Sequence, residues 1–175
     1  MKYLLAITSL FAVLAVAPLA SAEAFYVKGE VGTTIDTQLE TSYGGIELND
    51  GQVLGAYIGT AVGPVRVEAG AAHLSGDLDF GYFTVDGSAL DYNATAYLDT
   101  ASGFYAGVGV DYIEAEASIG SYNLSQSGYG WHVSGGYAFA AAGGIVELQA
   151  TYRDIALDDV DLSGTAMTVA YRHAL

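Results

Sequence analysis

Hydrophobic and polar residues alternate with a period of two along most of the chain after residue 23. In the segment 25–36, Phe25, Val27 and Val31 share one face, and Lys28 and Glu30 lie on the other. Such alternation predicts a β-strand with one apolar and one polar face. Seven further segments show the same pattern, at 52–62, 65–74, 90–99, 104–112, 128–139, 146–153 and 167–175.

The connections between these segments alternate between long and short. Short turns are predicted at 63–64, 99–103 and 140–144, and long polar loops at 37–51, 75–88, 113–127 and 154–164. Short turns at one end and longer loops at the other are typical of membrane barrels. The sequence therefore predicts an all-β fold, an eight-stranded antiparallel up-and-down transmembrane β-barrel.

A soluble barrel of the lipocalin type is the alternative, and it would place its apolar face inside. Eight strands enclose an interior just wide enough for side chains to fill it. The face that holds Gly55, Gly107 and Gly109 suits that interior, whereas the face that holds Phe104 and Trp131 is too bulky. The glycine-rich face is therefore predicted to point inward and the apolar face toward lipid.

The predicted inward face also carries every lysine and arginine of the segment 23–175. Buried charges must pair, because an unpaired one loses its hydration without replacement. We therefore predict a lumen charge network that fills the barrel and fixes the strand register; a gate that passes small solutes is the alternative. Its predicted members are Lys28, Glu30, Arg66, Glu68, Asp91, Asp99, Asp111, Glu147, Arg153 and Arg172, with Asn93 and His132 as polar lumen residues.

Composition narrows the class of protein further. The sequence is 52% hydrophobic, contains no cysteine, and has 20 acidic residues against five basic ones, a net charge of −15. Binding to nucleic acid or to anionic membrane surfaces requires clusters of lysine and arginine, so both are excluded.

The first 22 residues are typical of a secretory signal peptide. Lys2 precedes the apolar run 4–19, and Ala20-Ser21-Ala22 provides small residues at the cleavage site. A membrane helix is the alternative, but the run is short and contains Pro18. Residues 1–22 are thus predicted to be removed, and residues 23–175 to form one barrel domain.

Aromatic residues fall near both ends of the predicted strands and predict two interfacial girdles. Tyr26 is a further candidate for the girdle at the short turns. The predicted girdle residues are Phe25, Phe104 and Phe139 near the turns, and Tyr112 and Trp131 toward the loops.

Catalytic and metal chemistry find little support in the sequence. His132, Ser134 and Asp111 could be imagined as a catalytic triad, but residues two apart on one strand face rarely have nucleophile–base geometry. The segment 159–164 matches half of a calcium loop, but Ala170 stands where the bidentate glutamate is needed. We predict no enzyme, no metal and no cofactor.

The chain resembles the outer-membrane β-barrel domain family, the OmpA-like and small porin-like surface proteins. The resemblance is carried by the stretches FYVKGEVG at 25–32, YNATAYLD at 92–99, GVGVDY at 107–112 and ATYR at 150–153. It implies a monomer in the outer membrane, inserted by the barrel-assembly machinery and in contact with outer-membrane lipid and lipopolysaccharide. The expected function is a structural or surface-interaction role through acidic extracellular loops that can engage an extracellular partner; a narrow porin is the second reading and an outer-membrane enzyme a distant third.

Overall fold

The structure is a computed structural model that describes residues 24–41, 44–79, 84–119, 122–158 and 160–175. The predicted signal peptide, 1–22, lies outside the described residues. Within the described part of the chain, no helix has the length and apolar character needed to cross a membrane.

Eight strands form one closed barrel. Each strand pairs antiparallel with its sequence neighbours, and β1 pairs with β8, so the sheet has no free edge. This confirms the predicted fold. The strands are β1 (Ala24–Thr41), β2 (Gly44–Val62), β3 (Val65–Asp79), β4 (Thr84–Asp99), β5 (Phe104–Ile119), β6 (Tyr122–Ala141), β7 (Gly144–Leu157) and β8 (Asp161–Ala174).

The register fixes the tilt of the strands. A row of paired residues that leaves β5 at Ile113 passes once around the barrel and returns to β5 at Gly103, ten residues away. A stagger of this size in eight strands corresponds to a tilt of about 40°. The interior is therefore narrow, and every inward side chain lies close to side chains from several other strands.

The strands extend well beyond the predicted ends, and the prediction of long loops was wrong. The segments 37–51, 75–88, 113–127 and 154–164 are mostly strand where the structure describes them. The hydrophobic alternation ends at these positions because a sheet that projects above the apolar band needs no apolar outer face. The backbone hydrogen bonds between the strands continue there, but they do not require a particular pattern of side chains, so the sequence does not reveal them.

The short turns follow the predicted positions. Gly63 adopts a positive φ of 58° before Pro64, and Ala142 and Gly143 adopt φ values of 51° and 80°. Two consecutive positive φ values define the type I′ turn, which matches the twist of an antiparallel hairpin. These turns place both ends of the described chain at one end of the barrel, here called the turn end; the opposite end is the hairpin end.

The outer surface of the barrel carries an apolar band between two aromatic rows. At the turn end Phe104 lies 5.0 Å from Tyr137, and at the hairpin end Tyr112 lies 4.9 Å from Tyr129, measured between ring centroids. Phe104 and Tyr112 are eight residues apart on β5, which at this tilt separates the rows by about 20 Å. The predicted girdle residues Phe25, Phe104, Tyr112, Trp131 and Phe139 all lie on this outer face.

Candidate functional site

The ten charged residues predicted for the lumen all point into the barrel. Most are almost completely buried; the side chain of Asp99, at the turn end, is the most exposed of those that form ion pairs, at 32%. The structure arranges the ten in two clusters, one near each end of the apolar band. Between them lies a polar middle layer that includes Thr95, Ser134, Gln149 and Thr151.

Arg66 is the centre of the cluster at the turn end. Its guanidinium is fully buried and bonds to Glu68, to Asp99 with 3.2 Å between Nε and Oδ2, and faces Glu147 with 3.5 Å between Nη1 and Oε1. Three carboxylates from three strands therefore surround one cation. Arg172 supports Glu147 from the other side, with 3.1 Å between Nε and Oε1.

Lys28 also pairs with Glu68 and brings in the fourth carboxylate of this cluster, Glu30. Its ammonium group bonds to Glu68 and lies 3.9 Å from an oxygen of Glu30. Both carboxylates also accept hydrogen bonds from tyrosine hydroxyls, from Tyr26 to Glu68 over 2.9 Å and from Tyr57 to Glu30 over 2.6 Å. These bonds supply part of the hydration that the buried charges have lost.

Four tyrosines inside the barrel are bulkier than the sequence led us to expect. Tyr26, a candidate for the girdle, is buried in the lumen; the others are Tyr57, Tyr97 and Tyr105. The glycine-rich face therefore fits the narrow interior together with four large rings.

The lumen glycines make room for these rings. A Cβ atom on Gly59 would overlap the ring of Tyr26, and one on Gly107 would overlap the ring of Tyr97. Gly70 and Gly136 stand in the same relation to Tyr57 and Tyr105. Each ring thus lies flat against a bare backbone, an arrangement known to compensate for glycine in strands.

Three of these rings also lie close to a cation. The Arg66 guanidinium lies 4.1 Å from the centroid of Tyr97, the Lys28 ammonium 4.3 Å from that of Tyr57, and the Arg172 guanidinium 4.9 Å from that of Tyr26. Cations at these distances are attracted by the ring quadrupole, more strongly in a desolvated site. Each of the three rings therefore lies close to both a lumen glycine and a cation.

The second cluster lies toward the hairpin end and contains Asp91, Arg153, Asp111 and His132. Arg153 bonds to Asp91 with 3.1 Å between Nη1 and Oδ2, and Asn93 donates to the same oxygen over 3.1 Å. His132 lies between Asp111, 2.9 Å from Nδ1, and the hydroxyl of Thr95, 2.8 Å from Nε2.

The catalytic triad imagined from the sequence does not form with Ser134. Ser134 bonds to Thr151 over 2.9 Å, and His132 meets Thr95 instead. Although Thr95, His132 and Asp111 are spaced like a triad, the adjoining cavity has a volume of only about 10 Å³, which is room for about one water molecule. Nor does the part of the chain that the structure describes contain a group of three or more residues able to hold a metal ion.

Two buried isoleucines lie on the hairpin side of the second cluster, and the sequence analysis placed them in loops. Ile113 and Ile155 are each 0% exposed, although both were assigned to loops. Each follows a lumen charge by two residues, Asp111 and Arg153 respectively, so continuing the alternation by one further step would have placed them inside.

An open hollow of about 540 Å³ lies on the outer face of the projecting sheet, above the aromatic row of the hairpin end. Asp77, Asp86 and Glu116 surround it, and Asp77 and Asp86 are directly paired across β3 and β4. The rest of its lining is uncharged: Gln52, Ser75, Gly76, Gly87 and Ser88.

Comparison with known proteins gives structural matches only. No family model and no curated protein matches the sequence. The solved structure of neisserial surface protein A is similar, with a TM-score of 0.62 and 16% identity over 84% of this chain and 96% of that one. Ail, the attachment invasion locus protein of Yersinia pestis, is similar with a TM-score of 0.53 and 16% identity over 85% and 98% of the two chains; it has also been solved with the heparin analogue sucrose octasulfate. The chain thus has the fold of the small eight-stranded outer-membrane barrels.

Proposed function

We propose that this protein spans the outer membrane of a Gram-negative bacterium, with its short turns in the periplasm and its hairpins outside the cell. The observation that supports this location is the outer surface: a band of exposed aliphatic residues about 20 Å tall between two aromatic rows, with the lysines and arginines turned inward. An arginine or lysine on the lipid face at the bilayer midplane would cost about 2–4 kcal/mol.

Cell fractionation tests this location. We expect the protein in the outer-membrane fraction, and we expect it to migrate differently on gels before and after boiling, because a closed barrel resists unfolding by detergent at room temperature. A protein released with the soluble periplasmic contents would contradict the proposal.

The hairpin end carries an unusually one-sided charge, and we propose that it binds a cationic partner. We call the segments 34–52, 75–88, 114–127 and 154–164 the crown. The crown contains thirteen acidic residues and no lysine, arginine or histidine: Asp36, Glu40, Glu47, Asp50, Asp77, Asp79, Asp86, Glu114, Glu116, Asp154, Asp158, Asp159 and Asp161. A surface of this kind attracts basic proteins or peptides and repels polyanions.

The names of the two similar structures support a surface-interaction role, since one is a surface protein and the other an attachment protein. The ligand chemistry is expected to differ, however. Ail was solved with a sulfated sugar, and a ligand of that type needs cations that the crown lacks. We therefore propose that the crown takes basic polypeptides and not heparin-like polysaccharides.

Binding of an oligolysine peptide to the folded protein tests this proposal. We expect salt-sensitive binding that becomes roughly ten-fold weaker when Asp77→Asn, Asp86→Asn and Glu116→Gln are combined, since each exposed ion pair contributes about 0.2–1 kcal/mol. The matched control combines Gln52→Ala, Ser75→Ala and Ser88→Ala, which alters uncharged residues of the same hollow and should leave affinity unchanged. Equal affinity for all three proteins, or binding of sucrose octasulfate, would overturn the proposal.

Neither a porin nor an enzyme is favoured by the interior. The cavity beside the polar middle layer is about 10 Å³, and Thr95, His132 and Asp111 are all buried. A solute would have to displace several buried ion pairs to enter. We therefore propose a non-enzymatic barrel whose function lies in the crown.

A further inference from the structure

The interior of the barrel changes character toward the hairpin end. Ile113 lies one step beyond Asp111 on the inner face of β5, and Ile155 one step beyond Arg153 on that of β7. Ile113 is also the direct partner of Asp91 across β4 and β5. Both isoleucines therefore lie immediately on the hairpin side of the second ion cluster.

The opposite wall of the barrel supplies apolar side chains level with the second ion cluster, slightly nearer the turn end than the isoleucines. Val53 and Ala72, on β2 and β3, pack with Ala166 on β8, and all three are buried. Leu74 packs against this group and is the direct partner of Val53. Five of the eight strands thus contribute an apolar side chain to one zone of the lumen.

Glycine again allows the close approach. Gly130 pairs with Ile155 and also with Asp111 on its other side. A Cβ atom on Gly130 would lie 2.6 Å from Cγ1 of Ile155, so the isoleucine side chain leans over the bare backbone of β6. Ile155 is therefore packed closely against β6, although β6 itself contributes no side chain there.

We infer that these residues form an apolar seal that closes the lumen against the outside of the cell. The seal consists of Val53, Leu74, Ala72, Ile113, Ile155 and Ala166. An apolar constriction excludes ions and polar solutes by dewetting, without needing charge. The ion network below it is then shielded from the outside by the seal, and its most exposed charge, Asp99, lies at the turn end. This inference does not depend on what the crown binds.

Cysteine labelling tests the seal, because the chain contains no cysteine of its own. A reporter Thr151→Cys places a thiol in the lumen, where Thr151 is 4% exposed. With the seal intact we expect it to resist a charged methanethiosulfonate reagent. Combining it with Ile113→Ala and Ile155→Ala should speed labelling by at least roughly ten-fold, since a buried thiol reacts only through local opening.

A matched control truncates two aliphatic residues of similar size on the outer face, Leu54→Ala and Ile58→Ala, and should leave the labelling rate unchanged. Rapid labelling of the reporter with the seal intact, or equal rates with and without the truncations, would overturn the inference. Unboiled gels show whether each variant is folded. If the double truncation does not fold, the single Ile113→Ala and Ile155→Ala variants replace it. Each should increase the labelling rate of the reporter, by less than the double truncation would. Unchanged labelling rates in both would again overturn the inference.

Discussion

Replacing Arg66 by methionine is expected to lower the free energy of unfolding by about 3–5 kcal/mol, the cost of breaking a buried ion pair by removing one partner. Arg66 is fully buried and serves Glu68, Asp99 and Glu147, so its loss leaves at least two buried carboxylates without enough positive charge. Urea unfolding in phospholipid vesicles, followed by the fluorescence of Trp131, measures the change. Trp131 is the only tryptophan and lies on the outer face.

Two further variants show whether charge is the cause. Arg172→Met removes a cation that pairs with Glu147 alone and is slightly more exposed, so a smaller loss is expected. Combining Arg66→Met with Glu68→Gln should recover part of the stability, because it lowers the excess of buried negative charge that the first substitution creates. If Arg66→Met were no more harmful than Arg172→Met, Arg66 would not be the centre of the network.

Replacing Gly107 by alanine is expected to destabilise the barrel by about 1–3 kcal/mol, the usual cost of forcing extra volume into a packed interior. The added methyl group would overlap the ring of Tyr97. That ring cannot easily move, because the Arg66 guanidinium lies 4.1 Å from its centroid and Tyr105 meets it edge-on at 5.6 Å. The same unfolding measurement applies.

Gly29 provides the matched control for this substitution. It lies in β1 on the outer face, and a Cβ atom there would have no atom within 4 Å. Gly29→Ala should be neutral or slightly stabilising, because alanine restricts the unfolded chain more than glycine does. A double-mutant cycle with Tyr97→Val should remove most of the cost of Gly107→Ala. Equal effects of the two glycine substitutions would show that the ring and the glycine do not fit together as described.

Within the apolar band, the face on which each side chain lies could be predicted from the sequence. The two-residue alternation places Lys28, Arg66, Arg153 and Arg172 on the inner face, and the structure has all four there. This succeeds because a strand sends successive side chains to opposite faces, so the face of each residue is a local property. In the band that contacts lipid, the apolar residues mark the outer face and the polar residues mark the inner face.

The same rule fails above the apolar band. Large apolar residues of the projecting hairpins, such as Leu78, Ile119 and Leu162, no longer recur regularly at every second position, so the alternation is lost although the backbone pairing continues. Ile113 and Ile155 were assigned to loops for this reason, because each lies just beyond the last residue of a predicted strand. The sequence analysis therefore placed two residues of the apolar seal in loops, although one further step of the alternation reaches them.

The partner of each charge is the part that only the tertiary structure decided. Arg66 and Glu147 are 81 positions apart in the sequence and meet inside the barrel. The alternation fixes a side chain's face but not its height, and height depends on the ten-residue stagger of the closed sheet. His132 illustrates this: its own strand offers Ser134, but the barrel brings Thr95 from β4 within 2.8 Å.

The sequence alone determined the strands, their inner and outer faces and the acidic crown, because these depend on local alternation and composition. Closure of the barrel decided the ion pairs, the tyrosine contacts and the seal, because each joins residues from strands that the register alone brings together.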